Sequence, residues 1–279
     1  MLWNEKHARE IVKKALKEDL GWAGDITSQN LLSPDSQSEG VILARQEGIL
    51  AGLRIAKLVF TECNSQIEFV ELISDGEPLA PGKKIMKLNG PAIDILKGER
   101  LALNFLQRLS GIATRTREYT SQVSDYPVRI TDTRKTTPNL RMLEKYAVKI
   151  GGGHNHRSGL FDAVLIKDNH IQAVGGIKQA INKVREQISH TVKIEVEVED
   201  MTGVKAALEA KADIIMLDNM DTGALKKAVE FIDGRAIVEA SGGITLENLE
   251  SVAATGVDVI SVGALTHQIN SLDISLSFR

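Results

Sequence analysis

Of the 279 residues only Cys63 is a cysteine, which rules out an intrachain disulfide and any metal site built from several thiolates. No apolar run approaches the ~20 residues that a membrane-spanning helix needs. The opening stretch, MLWNEKHAREIVKKALKEDLGWAGD, scatters charges among its apolar positions and lacks the continuous apolar region of a secretory signal. A cytoplasmic location is therefore expected. The formal charge is only -3, so there is no broad field to gather nucleic acid or an anionic membrane. An anionic ligand would have to be held by a local cluster of bases. Low-complexity segments and sequence repeats are absent as well.

What is present is an ordinary globular composition, 43% hydrophobic and 25% charged, in a chain long enough for one large domain or two ordinary ones. Ile11, Val12, Ala15 and Leu16 suit one face of an amphipathic helix. Between residues 25 and 92, GVILARQEGILAG and QIEFVELI read as strands, with GLRIAKLVFTEC as a helix between them. DGEPLAPGKKIMKLNG is rich in Gly and Pro and fits turns joining short strands. Residues 92 to 123 have helical periodicity and are expected to connect two domains, with a break near Gly111.

After Pro127 strand-like and helical runs alternate. The strands are VRITDT, AVLIK, VKIEVEV, DIIMLDN, AIVEASG and DVISVGAL. Six strands with this rhythm imply right-handed βαβ units and a parallel sheet, either open and doubly wound or closed as a barrel. The strand ends favour the barrel, because each carries polar residues: Asp132, Arg134 and Lys135; Lys167, Asp168 and Asn169; Glu195, Glu197 and Glu199; Asp218 and Asn219; Glu239 and Ser241; Ser261 and Gly263. Ligands of parallel α/β folds sit at those ends, and six of six suits a ring of loops around one mouth. In KIEVEVED, residues 193 to 200, Ile194, Val196 and Val198 face one way and Glu195, Glu197 and Glu199 the other. The apolar face must pack on helices, so the acids point inward and must meet cations, metal or water. The expected architecture is α/β: a sandwich-like α+β domain over residues 1–110, to which the tail 267–279 can return, followed by a parallel (β/α) barrel-like domain over 111–266.

The densest chemistry lies between residues 130 and 170. Arg141, Lys145 and Lys149 recur at four-residue spacing on a predicted helix and read as a solvated face. Arg134 and Lys135 at a strand end, Lys167 inside an apolar strand and Arg157 beside a triple glycine do not. Together they describe a pocket for a small, strongly anionic ligand. Glu197 and Asp218, ending neighbouring strands, offer the oxygen ligands that magnesium takes. Asp218 could instead cap the helix that follows, although Asp221 is better placed. The glycines of ASGGI and VGALT could free backbone amides for a phosphate or merely form turns. His170 is read as ordering a loop, and Lys167 as a Schiff-base nucleophile is a weaker alternative in so charged a setting.

TDTRKTTP, LEKYAVKIGGGHNHRSGL and LIKDNH, with GERLALN and LSGIAT before them and EVEVED, LDN, EASGGI and SVGALT after, closely resemble the quinolinate phosphoribosyltransferases, in order and over nearly the whole chain. One departure is Asn139, where that family usually has glycine; asparagine tolerates the left-handed backbone better than other side chains, so the turn is expected to survive. The resemblance implies that quinolinate and phosphoribosyl pyrophosphate (PRPP) are converted, with Mg2+, to nicotinate mononucleotide, pyrophosphate and carbon dioxide. It implies that Arg134, His156, Arg157 and Lys167 hold the dicarboxylate, that Lys135 lies between the two substrates, and that Lys135, Lys167, Glu197 and Asp218 are the catalytic set. Glu197 and Asp218 would hold the metal and the ribose hydroxyls, and Ser241, Gly242 and Gly243 with Gly263 the 5'-phosphate. Arg100 would reach in from a second subunit, making the protein a homodimer or a higher homo-oligomer, with no nucleic acid or membrane partner. Two rivals are a relative of the same fold acting on another acceptor, such as the molybdenum-transport-associated proteins, and a catalytically silent barrel that senses an anionic metabolite.

Overall fold

The structure is a computed structural model and describes residues 3–278. In chain order the first stretch forms α1 (Glu5–Leu20), α2 (Ile26–Leu31), β1 (Gln37–Ala44), β2 (Gly48–Ile49), α3 (Leu53–Cys63), β3 (Glu68–Glu71), β4 (Pro78–Leu79), β5 (Lys84–Pro91) and α4 (Ala92–Gln122). Helix α1 starts where the Asn4 side chain accepts the amide of His7 at 2.9 Å and stops at Gly21, whose φ of 54° few other residues adopt. Its Ala8, Ile11, Val12 and Leu16 lie three to four residues apart and are buried, and the helix packs on α3. Burial of each larger side chain in that face stabilises by roughly 1.5–3 kcal/mol.

The remaining chain forms β6 (Arg129–Thr131), α5 (Arg141–Ile150), β7 (Val164–Ile166), α6 (Asp168–Val174), α7 (Ile177–Arg185), β8 (Ile194–Val198), α8 (Met201–Glu209), β9 (Ile214–Asp218), α9 (Thr222–Ile232), β10 (Ile237–Ser241), α10 (Leu246–Ala253), β11 (Val259–Ser261), α11 (Ala264–His267) and β12 (Ile274–Phe278). Two compact units result. The first takes the chain up to Arg117, Thr136–Gly152 and Leu265 onward; the second takes Glu118–Lys135 and Gly153–Ala264. In the first, an antiparallel sheet has the order β12-β1-β5-β3, and Ile42 of β1 stands opposite both Leu276 and Met86. The last strand of the chain thus completes the first sheet.

The second unit holds a parallel sheet in the order β6-β11-β10-β9-β8-β7. The first strand lies beside the last, as in a ring, and β7 ends the other side. Hydrogen bonds do not join β6 to β7 among the described residues. Instead the backbone of His154 lies along the free edge of β6, its N–H donating to Ile130 O at 2.8 Å and its C=O accepting from Asp132 N at 3.1 Å. The barrel-like expectation therefore holds for strand direction and order, with the ring opened between its first two strands. Among the described residues no helix is long and apolar enough to cross a membrane.

Two expectations need correction. Helix α4 runs unbroken through Gly111. A Cβ at that position would sit 2.3 Å from Asn270 O, so the glycine permits a close backbone approach and does not end the helix. Lys145 is fully buried, while Arg141 is half-buried and Lys149 exposed, so the three do not form one solvated face. The reason is the placement of α5, which belongs to the first unit and is buried over Met142–Lys145 and at Ala147 and Val148.

Candidate active site

Alternation along the strands decides what faces the interior of the second unit. In β8, Ile194, Val196 and Val198 are buried on the side away from the acids. Register then aligns the interior positions: Leu165 with Glu195, Glu197 with Met216, Met216 with Glu239, and Asp218 with Ser241. At the carboxyl ends a cavity of about 510 Å³ opens, within the range of small-ligand sites. Every strand of the sheet contributes to its wall. Thr133, Arg134 and Lys135 follow β6; Leu165 comes from β7 and Lys167 follows it; Glu197 comes from β8; Met216 and Asp218 from β9, with Asn219 after it; Ser241 from β10, with Gly242 and Gly243 after it; Ser261 from β11. His156 and Arg157 enter from the segment that lies along β6.

The cavity carries charges of both signs. Arg134, Lys135, Arg157 and Lys167 stand with Glu197 and Asp218 around the opening. Lys167 Nζ donates to Glu197 Oε2, the lysine side chain 44% and the glutamate 14% exposed. Burial lowers the affinity of Arg157 for its proton, and the positive charge of Arg134 lowers it further. Two guanidinium groups that repel one another beside a cavity form a receptor for an anion, which would relieve the repulsion. The acid side is ordered too, since Asn219 Nδ2 donates to Asp218 Oδ2 at 2.7 Å. Gly242, at φ 85°, packs so closely on Asn219 that a Cβ would fall 2.3 Å from its Oδ1, which makes glycine obligatory there. Ser261 Oγ is buried without a hydrogen-bond partner.

Beneath the cavity lie two glutamates, Glu195 and Glu239, each about 3% exposed. His156 Nε2 stands 3.2 Å from Glu195 and 3.4 Å from Glu239. Burial works against charge on His156, but the two carboxylates more than offset it and raise the histidine to about 10; burial also pushes Glu195 up. On the other side of the ring, Arg157 N–H donates to Nδ1 at 2.7 Å, which requires that nitrogen to be unprotonated. Both conditions are met when the retained proton sits on the carboxylate side, shared among Nε2 and the glutamates as a property of the trio. The three donor atoms lie within 4.8 Å of one another, a spacing that could suit a divalent cation, but the proton already offsets their charge. Glu197 and Asp218, open to the cavity, are the better-placed oxygen donors for a metal.

The chain matches the family model for the quinolinate phosphoribosyl transferase N-terminal domain over residues 25–110 and the model for its C-terminal domain over 112–277. A Bacillus subtilis protein named as a probable nicotinate-nucleotide pyrophosphorylase [carboxylating] is 46% identical across 98% of this chain and 94% of its own. A tobacco quinolinate phosphoribosyltransferase [decarboxylating] is 42% identical across 96% and 81%. The solved nicotinate-nucleotide pyrophosphorylase from Francisella tularensis superposes with a TM-score of 0.95 at 39% identity, covering 100% of this chain and 98% of that one. The chain belongs to the quinolinate phosphoribosyltransferase family.

Against the residues expected from the resemblance to that family, the cavity brings together Arg134, Lys135, His156, Arg157, Lys167, Glu197, Asp218, Ser241, Gly242 and Gly243. Gly263 does not line it; Ser261, two residues earlier, does. Arg100 is exposed on α4 in the first unit and is not part of this cavity. Glu199 is exposed and lines a separate groove with Asp200 and Gln172, so of the three acids expected to point inward it is Glu195 and Glu197 that meet a cationic side chain. Asp221, not Asp218, caps α9, accepting Ala224 N at 2.8 Å. Asp168 opens the short helix α6, and His170 Nδ1 accepts the amide of Lys167 at 3.0 Å, which fixes the junction where β7 becomes helix. Asn139 adopts φ 67°, the left-handed backbone that the family's glycine would take. Sequence reasoning noticed Glu239 only as a polar strand end, and its pairing with His156 had no signal in a single sequence.

Proposed function

We propose that this protein catalyses the phosphoribosyl transfer for which its relatives are named, making nicotinate mononucleotide from quinolinate and PRPP on the route to NAD. The observation that carries the reading is the gathering of both signs of charge in one cavity: Arg134, Arg157, Lys135 and Lys167 for anions, beside Glu197 and Asp218. Quinolinate carries two carboxylates, and Arg134, Arg157 and Lys167 match them, with His156 forming the wall behind. Lys167 and Glu197, paired with each other here, would separate to take ligands of opposite charge. The pyridine nitrogen attacks C1 of the ribose as the bond to pyrophosphate breaks. The carboxylates of Glu197 and Asp218 stabilise the positive charge that develops on the ribose ring. The alkylated ring is then cationic and stabilises the electron pair that stays on C2 as carbon dioxide departs, and C2 takes up a proton. The protein supplies alignment and charge neutralisation, with Lys135 between the two substrates.

Mg2+ fits the donor set, since Glu197 and Asp218 offer carboxylate oxygens open to the cavity; bound there with PRPP, it would offset the charge of the leaving pyrophosphate. Ser241, Gly242 and Gly243, held against Asn219, would receive the 5'-phosphate, with Ser261 taking the place expected for Gly263. Arg100 would serve the cavity of a second copy, so the working form is a homodimer or larger, in the cytoplasm. The test is incubation of the folded protein with quinolinate, PRPP and magnesium. Carbon dioxide and pyrophosphate should be released in equal amounts, and their absence would refute the assignment. Release of pyrophosphate from PRPP with another pyridine acid as acceptor, but not with quinolinate, would favour the rival acceptor.

A further inference from the structure

We propose that His156 is a positioning residue rather than a direct ligand of the acceptor, and that Glu195 and Glu239 act through it to aim Arg157. This rests on the reading of the cavity as a dicarboxylate site. The geometry that points to it is the use of both ring nitrogens within the protein. Nε2 faces the two glutamates at 3.2 and 3.4 Å, and Nδ1 accepts the amide of the residue that follows, at 2.7 Å. A ring so engaged has no nitrogen left for a bound carboxylate, although its edge lines the cavity.

The same short segment is held from its other side. Asp132, fully buried at the end of β6, accepts the amide of His156 at 2.9 Å with one oxygen and the Asn155 side chain at 2.7 Å with the other. Asp132 therefore fixes where the segment lies, and the glutamate pair fixes how the ring is turned. The ring in turn fixes the direction of the Arg157 backbone. Two carboxylates buried in a barrel interior cost stability relative to apolar residues of the same size. Glu239 leaves Oε1 outside hydrogen-bond geometry, so the arrangement is not one that maximises stability. It is accounted for if the orientation of the ring is what matters, because a guanidinium displaced by a fraction of its bond length loses its match to a carboxylate.

The experiment is a double-mutant cycle read by calorimetric binding of phthalate, a dicarboxylate that cannot react. Glu195→Gln, which removes the carboxylate hydrogen-bonded to His156 Nε2, should weaken phthalate by about tenfold, the scale of one charge-assisted hydrogen bond, while PRPP binding stays within about twofold. In an Arg157→Ala background the same substitution should change phthalate affinity by less than about twofold, since its effect passes through the arginine. An undiminished tenfold effect in that background, or none in the wild type, would overturn the proposal. Nitrogen-15 NMR of His156 decides the ring geometry even if phthalate fails to bind, which would count against the dicarboxylate reading itself. Nδ1 should be an unprotonated acceptor and Nε2 protonated; a protonated Nδ1 would overturn the clamp.

Discussion

Glu144 of the first unit and the cavity of the second handle charge in opposite ways. In the first, Glu144 has no exposed surface and its oxygens are filled: Arg108 Nε and Nη2 donate at 3.0 and 2.7 Å, and Thr137 N at 3.1 Å. In the second, Arg134 and Arg157 repel one another across an open cavity, and Lys167 and Glu197 pair while still reaching solvent. A buried charge with its full set of partners is part of the framework, and removing a partner damages the fold. A set of charges gathered around an open cavity is stabilised by whatever binds there, so removing one damages binding and leaves the fold intact. Composition alone does not separate these cases; the number of donors around each acid does.

The contrast predicts a graded series. Glu144→Ala should be the most damaging to the fold, costing about 3–5 kcal/mol in urea unfolding because Arg108 loses its buried partner. Arg134→Ala should leave the unfolding curve unchanged and lower kcat/KM for quinolinate by roughly 10²–10³-fold, the scale of removing one electrostatic stabiliser from a reacting site. If Arg134→Ala instead unfolds the protein, the distinction between the two units fails. Glu197→Gln should cost less than about 1 kcal/mol of stability, since its pair with Lys167 is partly solvated, and reduce turnover by about tenfold with a raised KM for PRPP. The smallest effect is expected at Asn139, where glycine should shift stability by less than about 1 kcal/mol, because both residues accept the left-handed backbone. A larger change at Asn139 would show that its side chain does more than fill a turn.

Much of this could be read from the sequence wherever a local pattern had a local cause. The period-two alternation of Ile194, Val196 and Val198 marked β8 and the inward direction of Glu195 and Glu197. Polar residues at six strand ends located the mouth, because parallel strands place their carboxyl ends together. What could not be read depended on distant chain. Lys145 sits at a helical spacing typical of surface lysines, and only the packing of α5 in the first unit buries it. Gly111 resembles a breaker until Asn270, about 160 residues later, is found against it. The gap between β6 and β7, and its partial filling by His154, follow from three-dimensional closure that periodicity does not encode. Gly263 is implied by the family likeness, while Ser261, which lines the cavity from β11, carries no signal beyond its place at a strand end.

The most direct test of the account is a crystal structure of the protein with quinolinate bound. Both carboxylates should lie in the cavity within hydrogen-bond reach of Arg134, Arg157 and Lys167, with the ring nitrogen facing Glu197 and Asp218. Quinolinate held elsewhere, or in this cavity with its carboxylates turned away from the two arginines, would contradict it.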